Sequence, residues 1–273
     1  MSSRFRSIFF VLGLIAASTG PAWALTVCAD PNNLPFSNRA GQGFENKIME
    51  VMADELGEKL DYAWRPQRRG FIRETLKARL CDVIAGVPSN LEQVETTMPY
   101  YRSTYVFVTR RESNLAIGSF DDAQLRKLII GVQIIGDDGA NSPPAHALSR
   151  RGMIANIRGF TVYGDYGKPH PLSPIIEAVA DGKIDVAVAW GPTAGYFAHL
   201  STVPLAVAAV RPSLDGPLLP MVFDIAMGVR KGDDKLGDRL DKALAKRWTD
   251  IDAILAAYSV PRMDGRASVA LPP

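Results

Sequence analysis

Cys81-Asp82-Val83-Ile84-Ala85-Gly86-Val87 is a short apolar run entered through an aspartate, directly after a stretch with helical spacing from about Arg68 to Arg79. Further along the chain the form returns. Lys183-Ile184-Asp185-Val186-Ala187 opens the run that ends at Trp190, after a helical stretch begun by Ser173-Pro174 and closed by Gly182. Apolar runs of this length without polar alternation read as strands buried on both faces. Their alternation with helices predicts parallel sheets covered by helices on both sides. The repeated unit is short, and helix-turn-strand units look alike, yet two similar lobes would produce it.

The same grammar extends both ways. Leu25-Thr26-Val27-Cys28-Ala29 reads as a buried strand stopped by Asp30-Pro31-Asn32-Asn33, which is turn chemistry. Phe44, Ile48, Val51, Met52 and Leu56 recur at helical spacing before Gly57, and residues 59–64 form the next strand. After a strand over 104–109 the pattern restarts at 128–134, followed by the loop Gly136-Asp137-Asp138-Gly139 and a helix with Ser142 available as its cap and Gly152 at its end. Residues 222–229 form a strand, and Leu236, Leu240, Leu244 and Trp248 mark a helix with a second helical stretch to Tyr258. The segment punctuated by Pro204, Pro212, Pro217 and Pro220 reads as a return crossing, and the tail from Arg262 to Pro273, lacking periodicity, is expected to be mobile.

Arg4 and Arg6 precede an apolar run from Ile8 to Ala17, and Ala22-Trp23-Ala24 supplies the small-residue pattern of a secretory leader cleaved after Ala24. That run is shorter than the roughly 20 residues needed to span a bilayer. No lipid-accepting cysteine follows, and no later segment is long and apolar enough to span. A periplasmic location is the expectation. Without the leader's two arginines, the 31 basic residues of the chain become 29 against 29 acidic ones. A balanced charge gives no global pull toward nucleic acid or anionic lipid. Cys28 and Cys81 are the two cysteines. An oxidising compartment favours a disulfide between them. Strand register argues the other way, because Cys28 falls near the end of one strand and Cys81 near the start of another.

Asp30, Pro35-Phe36, Gly43-Phe44-Glu45, Cys81-Asp82-Val83-Ile84, Pro99-Tyr100-Tyr101 and Val229-Arg230-Lys231-Gly232-Asp233 together resemble the bacterial extracellular solute-binding proteins of the amino-acid-binding type. The resemblance implies an α/β periplasmic solute-binding fold (type II): two doubly wound lobes, two crossover strands and an interlobe cleft. Residues 25–111 with 221–273 would form one lobe and 112–220 the other. Ligands of that family lie where helix N-termini and loops converge, a setting suited to anions. Residues 28–38, 64–71, 99–107 and Trp190-Gly191-Pro192 further resemble the XoxJ/MxaJ type. That type is associated with periplasmic quinoprotein (PQQ) methanol dehydrogenases, which implies as partners a lanthanide-containing dehydrogenase and its cytochrome c. The charges of an amino-acid binder are missing. Val87-Pro88-Ser89-Asn90-Leu91-Glu92-Gln93 has no arginine for a carboxylate, and Trp190-Gly191-Pro192 stands where an aspartate would meet an ammonium.

The candidate ligand-binding or cleft-lining residues are Asp30, Asn32, Asn33, Phe36, Pro88, Ser89, Asn90, Trp190 and Gly191. Strand C-terminal ends are the usual ligand position in open α/β sheets, although Asp, Asn and Pro are also plain turn formers. Trp190 is an aromatic cleft wall, a partner anchor or core packing. Trp64, Arg65, Arg68 and Arg69 form either a contact for an acidic partner or a solvated cluster. His146, His170 and His199 stand apart from one another and from the cysteines, and no nucleophile elbow or phosphate loop appears. No catalytic residue, metal site or cofactor is therefore expected, and an accessory protein is preferred to an enzyme. The alternative is the substrate-binding subunit of an ABC importer for a small polar, non-amino-acid solute. A cleft enzyme such as a dehydratase would have Asp30 as its acid.

Overall fold

The computed structural model describes residues 24–135 and 141–263. The leader up to Trp23, the Asp137-Asp138 loop and the tail beyond Met263 lie outside them. The first lobe begins with β1 (Ala24–Ala29), the tiny hairpin β2 (Asn32–Asn33) and β3 (Ser37–Asn38), α1 (Phe44–Leu56), β4 (Lys59–Trp64), the single turn α2 (Phe71–Glu74), β5 (Val83–Pro88) and β6 (Glu95–Thr96). The long strand β7 (Tyr101–Arg110) leads out of it. The second lobe holds β8 (Ile130–Ile134), α3 (Pro143–Arg150), β9 (Ile157–Thr161), α4 (Pro174–Ala180), β10 (Val186–Trp190), α5 (Gly191–Leu200), β11 (Leu205–Ala209) and the hairpin β12 (Leu214–Asp215) and β13 (Leu219–Pro220). The chain returns through β14 (Val222–Val229) to α6 (Asp234–Lys246) and α7 (Trp248–Ala257).

The first sheet runs β4-β1-β5-β14-β7 and the second continues from β7 through β10 and β8 to β9, with β11 on the other edge of β7. Pairs β1 with β4, β1 with β5, β10 with β8 and β8 with β9 are parallel, while β14 and β7 run antiparallel to their neighbours. Both sheets are covered on both faces. In the first lobe Phe44, Ile48, Met49 and Met52 of α1 pack with Leu240, Leu244 and Ile251, and Phe71, Leu76, Ile84 and Val87 fill the opposite face. In the second, Val106 and Val108 of β7 face Ile176, Val179 and Phe197, whereas Phe107 between them faces Ile130, Val132 and Leu148. The period of two along β7 thus feeds two separate apolar layers.

The repeated Asp-apolar unit performs one job twice. The Asp82 carboxylate accepts the Thr26 N–H at 3.1 Å while the Thr26 carbonyl accepts the Asp82 N–H at 2.7 Å. Asp185 and Ile129 make the same pair of bonds, at 2.8 and 2.9 Å. Each aspartate caps the start of the neighbouring strand and so sets its register in a buried sheet.

Three expectations are corrected and one open question is settled. The helix expected over 68–79 is one turn, because the backbone leaves helical angles at Thr75 (φ −121°, ψ −82°), whose hydroxyl and N–H both donate to the Phe71 carbonyl, and Arg79 adopts φ +60°. The proline-punctuated stretch is not simply a crossing: residues 205–209 are an edge strand of the second sheet, and the prolines sit outside its paired positions. The tail reading fails at Arg262, whose guanidinium is buried on Asp252, and at Met263, whose N–H donates to the Arg102 carbonyl at 2.9 Å. Finally, Cys28 and Cys81 are joined as a disulfide with Cα atoms 5.3 Å apart. Cys81 precedes β5 and lies off the ladder, so strand spacing does not measure its distance from Cys28. The bridge closes a separation of 53 residues. Replacing both cysteines with alanine is expected to cost about 2–4 kcal/mol in urea unfolding, and dithiothreitol should reproduce the loss in the parent protein.

Candidate functional site: the interlobe cleft

The cleft forms where the β1–β2 loop, the Gln67 segment, the crossover strands and the end of β10 converge. Its lobe-1 wall is tied down before any ligand arrives. Asp30 is 2 % exposed, and its carboxylate accepts the backbone N–H groups of Asn32 at 2.9 Å and Gln67 at 2.6 Å. The Ser37 hydroxyl donates to the Asp30 carbonyl at 2.9 Å. Gly43 lets the loop lie directly on α1: a β-carbon there would stand 1.9 Å from the Phe36 carbonyl. The first amides of α1 are consumed by that loop, Phe44 N–H by the Pro35 carbonyl at 2.8 Å and Glu45 N–H by the Phe36 carbonyl at 2.9 Å. The anion-binding helix terminus that the family resemblance implies is therefore already capped.

Two adjoining pockets occupy the cleft, of about 310 and 280 Å³, and share Asn33, Phe36, Gln67, Tyr105 and Trp190. The larger is walled by Tyr101, Tyr105, Trp190 and Phe223, with Pro88 and Glu45 at its first-lobe side. Trp190 stands 5.3 Å from Tyr105 and 5.8 Å from Phe223, centre to centre, in edge-to-face geometry. The Trp190 backbone N–H donates to the buried Gln133 side-chain oxygen at 2.8 Å, which fixes the end of β10. The smaller pocket adds Asp30, Gln133, Tyr163, Tyr166 and Thr193. The charged side chains lining either pocket are Asp30 and Glu45, both acidic. Burial, and secondarily the charge of Asp30, pushes the Glu45 carboxyl up to about 8.

The lobes meet across the cleft. The Tyr166 hydroxyl donates to Asp30, and the Asn32 side-chain amide donates to the Lys168 carbonyl at 2.9 Å. The Arg68 guanidinium lies 4.8 Å from the Tyr166 ring centre and 5.9 Å from that of Tyr163. Burial and the bond to Asp30 hold the Tyr166 hydroxyl above its ordinary pKa.

Of the residues singled out from sequence, Asp30, Asn33, Phe36, Pro88 and Trp190 line the pockets, and Asn32 bridges the lobes. Ser89, Asn90 and Gly191 do not line them. Ser89 donates its backbone N–H to Asp224, Asn90 is exposed in the following turn, and Gly191 is packed against the Thr104 carbonyl. Among the basic cluster, Arg68 is spent on the interlobe tyrosines, Trp64 stacks on Tyr62 at 4.6 Å, and Arg65 and Arg69 are exposed beside them. Sequence reasoning missed Glu45, Tyr105, Tyr166 and Phe223. Glu45 alone carried a signal, as the acid after Gly43-Phe44 at a helix start.

Two doubly wound lobes joined by two strands around such a cleft define the type II periplasmic solute-binding architecture. The description of the bacterial extracellular solute-binding proteins, family 3, matches residues 25–260. Protein MoxJ of Methylorubrum extorquens strain AM1 is 32 % identical over 252 residues, covering 90 % of this chain and 83 % of that one. The crystal structure of the periplasmic binding protein XoxJ from Methylobacterium extorquens AM1 superposes with a TM-score of 0.71 at 37 % identity, over 88 % of this chain and 99 % of that one. That of MxaJ from Methlophaga aminisulfidivorans MPT gives 0.73 at 25 % identity, over 88 % and 100 %. The chain belongs to the family 3 solute-binding proteins and, within them, is of the XoxJ/MxaJ type. Among the described residues, no helix is long and apolar enough to cross a membrane.

A hydrogen bond to a carboxylate contributes about 1.5–3 kcal/mol. Tyr166→Phe is accordingly expected to shift the lobes toward an open arrangement, raising the radius of gyration in small-angle scattering while leaving the circular dichroism unchanged.

Proposed function

We propose that this chain is an exported periplasmic accessory of a PQQ-dependent, lanthanide-containing methanol or alcohol dehydrogenase, cleaved after Ala24, which binds the dehydrogenase and assists its activation or maturation without itself being an enzyme. The observation that carries this reading is the cleft's charge: the wall that would grip an amino-acid carboxylate offers no Arg or Lys among the pocket-lining residues, and Trp190 stands where an ammonium partner would be. A scaffold stripped of its nutrient contacts, together with likeness to XoxJ, MxaJ and MoxJ along nearly its whole length, supports a role within the redox system those relatives accompany. The cytochrome c of that system is a second candidate partner.

The size of the cleft favours a second reading, a binding subunit of an importer for a small polar solute, because each pocket is at the small end of known ligand sites. Calorimetry and pull-down with apo and holo dehydrogenase separate the two. The accessory reading expects saturable binding to one state and reduced dehydrogenase activity in a deletion strain. Absence of binding to both states, with normal activity after deletion, overturns it.

A further inference from the structure

We infer that the larger cleft pocket is a site for a small organic cation of the quaternary or methylated ammonium type, held by the faces of Trp190, Phe223 and Tyr105 against the carboxylate of Glu45. The inference concerns the cleft itself and is independent of whether a dehydrogenase or an importer is the partner.

Three features of the pocket converge on that chemistry. The first is the wall. Aromatic faces carry negative potential, and their attraction for a cation strengthens where water is excluded. Tyr105, Trp190 and Phe223 come from β7, from the end of β10 and from β14, so the rings sit on the crossover region and not on a mobile loop. All three are half-buried, each leaving an edge or face open to the pocket.

The second is Glu45. Its Oε1 occupies the space over Gly86, 2.2 Å from where a β-carbon would be, so strand β5 carries glycine at the one position that lets this carboxyl lie against it. Among the described residues no donor is bonded to the Glu45 side chain, in contrast to Asp30, whose oxygens are taken by Asn32, Gln67 and Tyr166. The groups facing it are Asp30 just after β1, Tyr62 from β4, Tyr100 just before β7 and Tyr101 at its start, while β14 presents the apolar Ile225. None of these is a cation. The third feature is the sign of the cleft: an anion would find no guanidinium or ammonium among the lining residues, the first two amides of α1 are already bonded, and a neutral apolar guest would cover the Glu45 carboxyl without giving it a partner.

The pH dependence follows from the carboxyl's raised pKa of about 8 in the empty site. A cation binds the ionised form, so it must displace a proton when the pH is below that value. Affinity is then weakest at low pH, rises by about tenfold per unit up to pH 8, and levels off above it.

Choline, tetramethylammonium and the neutral carbon isostere of choline, 3,3-dimethyl-1-butanol, are suitable probes, since the two cations do not themselves titrate. Isothermal calorimetry of the full mature chain should find choline bound at least about tenfold more tightly than the isostere at pH 8.5, with the stated loss of affinity at lower pH. Glu45→Gln should abolish the pH dependence, and Phe223→Leu should weaken choline while keeping it. Equal binding of choline and its isostere overturns the inference, as does choline affinity indifferent to pH or the absence of binding by both cations in the millimolar range. The wild-type comparison decides the matter even where a variant fails to fold. Dehydrogenase binding, measured separately, reports on the accessory reading and not on this one.

Discussion

Ten residues of one strand belong to two sheets, and the rest of the molecule is arranged around that sharing. Tyr101 to Thr104 of β7 pair with β14 in the first sheet, and from Tyr105 onward the same strand pairs with β10, and from Val106 also with β11, in the second. The change of partner falls between Thr104 and Tyr105 without an unpaired residue, so β14 and β10 are both held against β7 at the point where the lobes part. Tyr105 sits at this step, with Phe223 and Trp190 beside it on the other strands. The aromatic floor of the cleft follows from that topology: Tyr105, Trp190 and Phe223 come from the three strands that meet where β7 changes partner, and their rings pack edge to face there.

Closure depends on a different economy of contacts. Asp30 follows the end of β1 and gathers two backbone amides from its own lobe, so the buried carboxylate has partners without the second lobe. The bond from Tyr166 is added from the other lobe, and Arg68 stacked on the same tyrosine neutralises the local field. One side of the latch is thus preorganised and the other arrives with the second lobe. Asn32 to Lys168 adds a neutral bond beside it. Such a division means that loss of the Tyr166 bond would still leave Asp30 with its two backbone partners.

The lobed α/β architecture was legible because its strands are uninterrupted apolar runs and its helices keep their spacing. Even the repeated Asp82 and Asp185 units, short enough to arise by chance in the sequence, proved to be the same strand cap built twice. What escaped was set by long-range geometry. The strands at 157–161 and 205–209 are short and weakly patterned, and each is a strand only because a neighbour offers a ladder. Asp30, Phe36 and Trp190 were found as strand-end residues. Phe223 and Tyr105 were not, since in sequence they look like ordinary strand positions and become cleft walls only where β7 changes sheets. The disulfide stayed open in the sequence because compartment and strand spacing argued opposite ways, and spacing along a ladder says nothing about a cysteine that precedes the strand.

Glu45 shows how scaffold and chemistry are linked. A carboxyl in the first turn of a helix is ordinarily favoured by the helix dipole, which lowers its pKa. Here the first amides are already bonded to the Pro35 and Phe36 carbonyls, and the side chain is turned over Gly86 into an aromatic pocket. Loss of hydration outweighs the dipole, and the pKa moves upward instead. The loop that caps α1 is the one that carries Asp30 and Phe36, so the segment that removes the anion site also builds the cleft wall. One loop thus does both: it occupies the first two amides of α1 and leaves the Glu45 side chain to face the rings.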